Sequence, residues 1–266
     1  MESDRWFRDP RVWLELFVIA NLGGLAPDIG LAHATNGFHH PAEWIPLAFS
    51  LAAPPALFVA LVSWRTRGAA SLWRAAGLAL GLASIAVGVA GLLWHLSSRF
   101  LVEQTLESLV YTAPFAAPLA YTGLGLLLVM DRTVDALEGD WSDWVLIVAI
   151  GGFAGNFIFS LADHAQNGFF HATEWIPVGA SAFAVTFLSM PLVMRVTRGY
   201  LTVCALVLVL EVAVGLAGFW LHVRADLAGP SPRLLENLVY GTPSLAPLLF
   251  VDLSLLAALG LAVRRF

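Results

Sequence analysis

Hydrophobic residues run along the chain in blocks of about 20, separated by short polar breaks. A helix rising 1.5 Å per residue needs about that length to cross roughly 30 Å of hydrocarbon. Eight blocks stand out, approximately 12–32, 45–63, 75–96, 109–130, 144–163, 176–194, 201–222 and 237–263. The pattern predicts an all-α integral membrane protein of eight transmembrane helices, with no segment left over for a soluble domain. Pro54-Pro55 in the second block, Pro114 and Pro118 in the fourth and Pro191 in the sixth predict kinks or breaks at those places. The first block ends in Ala32-His33-Ala34, which has the small-x-small form of a signal cleavage site. It is expected to be a retained helix, because residues 144–166 form the same element in mid-chain.

The polar breaks repeat. His33-Ala34-Thr35-Asn36-Gly37-Phe38-His39-His40-Pro41-Ala42-Glu43-Trp44-Ile45-Pro46 returns as residues 164–177 with ten of fourteen positions identical. Both copies carry the frame H-A-x-N-G-F-x-H-x-x-E-W-I-P. Glu107 to Tyr111 with Pro114 and Pro118 returns as Glu236 to Tyr240 with Pro243 and Pro247, and the segment ending in His95 returns in the one ending in His222. The chain therefore reads as a tandem duplication of a four-helix unit, residues 12–130 and 144–263. With four crossings per unit, each copy starts on the same side, so the repeats are expected to be parallel and related by a pseudo-two-fold axis along the membrane normal.

Composition strengthens the membrane reading: 59% of the 266 residues are hydrophobic, 12% are charged and the mean hydropathy is +0.78, outside the range of soluble domains. The one cysteine, Cys204, rules out internal disulfides and cysteine-based metal sites. There is no lysine and no basic patch, which excludes nucleic acid as a partner. The partner the composition requires is the lipid bilayer; a hydrophobic or redox partner is compatible with it, and nothing in the pattern specifies an oligomeric state.

The arginines orient the chain. Arg5, Arg8, Arg11, Arg65, Arg67, Arg74, Arg132, Arg195, Arg198, Arg264 and Arg265 fall in the termini and alternate loops, whereas the other loops hold only Arg99, Arg224 and Arg233. Positive charge collects in cytoplasmic loops. Both termini are expected to be cytoplasmic, in a plasma or inner membrane, with the connections 1–2, 3–4, 5–6 and 7–8 facing outward.

Those outward connections hold the chemistry. Asn36-Gly37 and Asn167-Gly168 signal tight turns. They set His33 and His164 at the ends of helices 1 and 5, and lead through His40 and Glu43, or His171 and Glu174, into helices 2 and 6. Imidazole and carboxylate together ligate iron, copper, zinc or manganese. The candidate ligands are His33, His40, Glu43, His95 and Glu107 in the first half and His164, His171, Glu174, His222 and Glu236 in the second. His39 faces Phe170 in the alignment and is a bystander. Asp28 and Asp163 are candidate partners that orient an imidazole, Tyr111 and Tyr240 candidate outer-sphere donors, and Glu211 and Asp252 candidate mid-membrane proton-relay groups.

The functional expectation is a membrane metalloprotein with an outward-facing His/Glu site at the repeat junction, redox-active and, if an enzyme, a metal-dependent oxidoreductase. Three alternatives stand beside it. The outer cluster could capture a divalent metal ion or protons for transport. The histidines could hold haem b, with His95 and His222, or His33 and His164, as axial pairs. Finally, aromatic-belt tryptophans, helix-start glutamates and wet interfacial histidines would also occur in a scaffold without chemistry.

Overall fold

The computed structural model describes residues 8–136 and 139–264; Arg5 and Arg265 lie outside the described residues. Every regular element among the described residues is helical. In chain order they are α1 (Pro10–Ala34), α2 (Trp44–Arg67), α3 (Ala70–Ser97), α4 (Phe100–Glu103), α5 (Leu106–Val110), α6 (Leu119–Thr133), α7 (Gly139–Gln166), α8 (Trp175–Val193), α9 (Arg198–Leu227), α10 (Leu234–Tyr240) and α11 (Leu248–Val263). One-turn 3-10 helices, Pro41–Glu43 and Ala172–Glu174, lead into α2 and α8.

Six segments are long and apolar enough to cross a membrane: Pro10–Ala34, Pro41–Arg67, Ala70–Ser97, Gly139–Gln166, Ala172–Val193 and Arg198–Leu227. Their outward faces are apolar as well. Leu51, Val59, Leu82, Leu206 and Val209 are all exposed, a periphery that suits lipid and not water.

The fourth block is broken where its prolines allowed for a break, and the eighth is broken as well, which was not expected. Neither is one continuous helix: α5 and α6 are separated by residues 111–118, and α10 and α11 by residues 241–247. Proline is the cause. Pro114, Pro118, Pro243 and Pro247 lack an N–H, and each disfavours helical geometry in the residue before it. What remains, 15 residues in α6 and 16 in α11, spans about 22–24 Å. By contrast α2 runs unbroken through Pro54 and Pro55, and Pro191 lies within α8, two residues before its end.

α1 packs on α2, α2 on α3 and α3 on α6; α7 packs on α8 and α11, α8 on α9 and α9 on α11; α6 against α7 and α1 against α11 join the two sets. The closest approaches are made through glycine. A Cβ on Gly88 of α3 would stand 2.8 Å from the Pro118 carbonyl oxygen, and one on Gly215 of α9 would stand 2.8 Å from the Pro247 carbonyl oxygen. Small residues let helix backbones meet in this way. Leu14, Leu22, Leu57, Trp141, Phe153 and Leu188 fill the interior.

One end of the bundle gathers ion pairs: Arg65 with Asp9 at 2.9 Å, Arg11 with Asp135 at 3.5 Å and Arg264 with Asp143 at 2.8 Å. Arg132, expected in a loop, lies instead in the last turn of α6 with its side chain fully buried. It donates to Glu15, to Asp131 and to the Trp73 carbonyl, and its guanidinium sits 3.7 Å from the centre of the Trp73 ring. Trp73 Nε1 donates to Glu15 at 3.0 Å and Trp141 Nε1 to Asp131 at 2.9 Å. Two buried carboxylates thus share one cation and two indoles, locking α1, α3, α6 and α7 together. The histidines occupy the opposite end.

Candidate metal centres at the histidine end

Each repeated turn is built the same way. Gly37 and Gly168 take φ of 68° and 73°, and Phe38 and Phe169 follow at φ 53°, a left-handed conformation that glycine adopts freely and phenylalanine seldom does. The Phe38 amide donates to the His33 carbonyl at 3.1 Å and the Phe169 amide to the His164 carbonyl at 3.0 Å. The Asn36 and Asn167 side chains accept from the same two amides at 3.2 and 3.0 Å. Phe38 then stacks on Trp44 at 4.3 Å and Phe169 on Trp175 at 3.9 Å. Backbone strain kept at two equivalent turns points to a site.

The reversal returns a glutamate to each helix-ending histidine. His33 Nδ1 stands 3.8 Å from Glu43 Oε2, and His164 Nδ1 stands 3.8 Å from Glu174 Oε2. Both Oε2 atoms are buried and accept no hydrogen bond. Such an oxygen costs about 1–3 kcal/mol relative to a satisfied one. Glu43 Oε1, in contrast, accepts from Asn36 Nδ2 at 2.9 Å, which aims the carboxylate.

In the first half a second imidazole stands beside this pair. The His95 ring lies edge-on to the His33 ring with centroids 6.3 Å apart. In the second half His164, Glu174 and His222 all lie within electrostatic reach of Asp163. His95 Nδ1 is hydrogen-bonded to the Pro114 carbonyl at 2.9 Å, and His222 Nδ1 to the Pro243 carbonyl at 3.1 Å. A carbonyl can only accept, so Nδ1 carries a proton and Nε2 is the nitrogen left to bind a metal. Metal-ligating histidines are oriented in this manner. The proline breaks supply those carbonyls, and straps hold them in place. Thr112 Oγ1 donates to the His95 carbonyl at 2.8 Å and Thr242 Oγ1 to the His222 carbonyl at 3.1 Å. Asp226, a buried carboxylate that the sequence reading did not single out, accepts from the Thr242 amide at 2.9 Å and from the Thr242 and Ser244 hydroxyls.

The other candidate residues stand apart from these groups. His40 Nδ1 accepts from the Ala42 amide at 3.2 Å and so caps the 3-10 turn; His171 is exposed and makes no such cap. Glu107 is exposed on α5. Both Glu236 oxygens are engaged, by Ser231 and by Arg233, and these bonds hold its carboxyl below the usual range. Tyr111 lies under the Arg99 guanidinium at 5.8 Å, and Tyr240 is exposed. Asp28 lies within electrostatic reach of Tyr121, and Glu211 and Asp252 lie on α9 and α11, away from the histidine end. Asp163 also faces a small crevice where α7 meets the other half, lined by Thr112, Pro114, Phe115, Ile158 and Gln166. Gln166 bridges it by donating to the Val110 carbonyl at 2.9 Å.

Among the described residues no group of three or more His, Cys, Asp or Glu side chains is placed to hold a metal ion. The fit to an ion rests on the donors themselves. Two donors on one tetrahedral zinc ion, at about 2.0–2.1 Å each, stand about 3.3 Å apart. A His/Glu separation of 3.8 Å is half an ångström wider than that, and too long for a hydrogen bond.

No family model matches the chain, and neither a curated protein nor a solved structure does.

Proposed function

We propose that the protein is an integral membrane metalloprotein with two equivalent centres, His33/Glu43/His95 and His164/Glu174/His222, each taking one divalent transition metal ion. The observation that carries this reading is the pair of buried glutamate oxygens without a donor, each 3.8 Å from an imidazole nitrogen. Helix capping accounts for neither, since neither side chain makes a cap hydrogen bond. Two histidines and one carboxylate with open positions are the ligand set of non-haem iron(II) oxygenases, so iron(II) is the first candidate ion, followed by zinc, manganese and copper. Such an ion would supply redox or Lewis-acid chemistry at the membrane face. The chain's own residues hold and orient the donors: Asn36 aims Glu43, the Pro114 and Pro243 carbonyls fix the tautomers of His95 and His222, and Asp163 adds negative charge to the second group.

The same proposal includes the topology. The chain is read as eight crossings in two parallel four-helix units, with the short helices α6 and α11 completed across the bilayer by their proline breaks and by α5 and α10. The repeated motif, the matching helix pairs and the paired hydrogen bonds at Pro114 and Pro243 support this. The arginine-rich end is read as cytoplasmic by the positive-inside rule, which sets the histidine end outside.

Anaerobic titration of the detergent-purified protein with iron(II), and separately with zinc(II), tests the metal reading. Saturable binding, abolished when His33, Glu43, His164 and Glu174 are all replaced by alanine, supports it. Wild-type protein that binds neither ion overturns it.

A further inference from the structure

The second half holds a buried carboxylate that the metal centres do not use. Glu211, on α9, has no solvent exposure, and neither of its oxygens has a hydrogen-bond partner. On the facing helix α8, Ser181 is equally buried and its hydroxyl is also without a partner. The two lie at one level. Cys204 Sγ reaches the Phe187 carbonyl at 3.6 Å. From there Ser181 is six residues along α8 and Glu211 seven along α9, rises of about 9 and about 10 Å on antiparallel helices.

The first half shows what normally fills this place. The alignment of the motifs sets Ser50, Ser84 and Tyr121 opposite Ser181, Glu211 and Phe250. Ser50 and the Tyr121 hydroxyl share a hydrogen bond, Tyr121 donates on to the Pro46 carbonyl, and Ser84 donates to the Tyr121 carbonyl at 2.7 Å. All of those polar groups are satisfied. In the second half Phe250 removes the hydroxyl and Glu211 replaces the serine, so an open polar site stands where a closed one was.

Among the described residues no charge is placed to neutralise an ionised Glu211. Between Trp175 and Val193, α8 carries no titratable side chain. On α9 the titratable groups nearest in sequence are Cys204, seven residues away, and Tyr200 and His222, each eleven residues away, and none is bonded to Glu211. On α11 the carboxylate Asp252 falls two residues beyond Phe250, about 200° further round the helix. An unpaired carboxylate in hydrocarbon is held as the neutral acid or binds a cation. The site offers three side-chain oxygens, fewer than the about six to eight that a calcium ion takes.

Polar side chains also lie on α7 between this level and the histidine end. Asn156 and Ser160 lie one turn apart, about 12 and about 6 Å below His164 by helical rise; both are buried, and Asn156 Nδ2 has no partner. Leu25 and Ile29 take their positions in the first half, so this pair belongs to the second half alone.

We propose that Glu211 with Ser181 is a proton-binding site at mid-membrane depth, loaded from the histidine end along Asn156 and Ser160. In the loaded state the Glu211 carboxyl is neutral and donates its hydrogen to the Ser181 hydroxyl. Unloading releases that proton and leaves the carboxylate.

Infrared difference spectroscopy on the full chain in proteoliposomes tests this, comparing wild type with Glu211→Gln. The double variant Glu211→Ser/Phe250→Tyr rebuilds the closed first-half arrangement and serves should Glu211→Gln fail to fold. The expected result is a neutral-carboxyl band at neutral pH in the wild type, shifted in heavy water, lost in both variants, and lost when the medium facing the histidine end is made alkaline. Four outcomes would overturn the proposal: a band of equal intensity in wild type and variants, no band at neutral pH, a band that follows only the pH at the arginine end, or a band removed by sodium at constant pH.

Discussion

His33 Nδ1 and Glu43 Oε2 face each other across 3.8 Å, and His164 Nδ1 and Glu174 Oε2 do so across the same distance. Ligands must be deprotonated to hold a metal, and binding releases protons. Metal occupancy is therefore expected to fall on acidification, as protons displace the ion from imidazole and carboxylate. Equilibrium dialysis against buffered zinc(II) at stepped pH checks this; retention that does not change on acidification would contradict imidazole ligation.

Glu107 and Glu236 serve as controls. Glu107→Gln and Glu236→Gln are expected to leave metal binding unchanged, since one side chain faces solvent and the other is taken by Ser231 and Arg233. Because its carboxyl is held low, the bonds of Glu236 persist as pH falls below the usual glutamate range and fail only at its lower folded value. Chemical-shift titration of the labelled side chain reads that value directly, and an ordinary glutamate midpoint would refute the assignment.

Arg132 is expected to be the most sensitive position at the arginine end. Arg132→Met leaves Glu15 and Asp131 buried without their cation, a loss of about 3–5 kcal/mol. Arg132→Lys is also expected to destabilise, because an ammonium cannot reproduce the three-way donation and the stacking on Trp73. Thermal unfolding in detergent measures both. A midpoint within a degree or two of wild type for Arg132→Met would show that the cluster contributes little.

The repeated turns give a separate handle. Gly168→Ala forces a Cβ into φ of 73°, at a cost of about 1–2 kcal/mol, and is expected to weaken metal binding in the second half while leaving the first half intact. Gly37→Ala should do the converse. Equal effects on both halves would mean that the turns act through global stability.

Periodicity and repetition made the long helices and the turns legible, since each rests on neighbours in sequence: Asn36-Gly37 closes on His33 within five residues. The interruption at Pro114 and Pro118 was legible as a kink or break, whereas the one at Pro243 and Pro247 was not foreseen, because an apolar run looks the same whether or not its backbone is interrupted. Arg132 was misplaced for another reason. Its partner Glu15 is 117 residues away, and no local pattern distinguishes a buried guanidinium from a loop cation. Asp226 was missed likewise, its partners lying 16 and 18 residues on in a strap that only the folded chain defines. At the histidine end, residue type named more candidates than geometry gathers: His33, Glu43 and His95 come together, while His40 spends its nitrogen on a turn.

The most direct test of the two-centre account is metal stoichiometry measured half by half. Elemental analysis of purified protein after anaerobic iron(II) or zinc(II) loading is compared among wild type, His33→Ala/Glu43→Ala, His164→Ala/Glu174→Ala and the combination of all four changes. The account predicts that either pair halves the bound metal and that the combination abolishes it. Bound metal equal to wild type in both pairs and in the combination would contradict it.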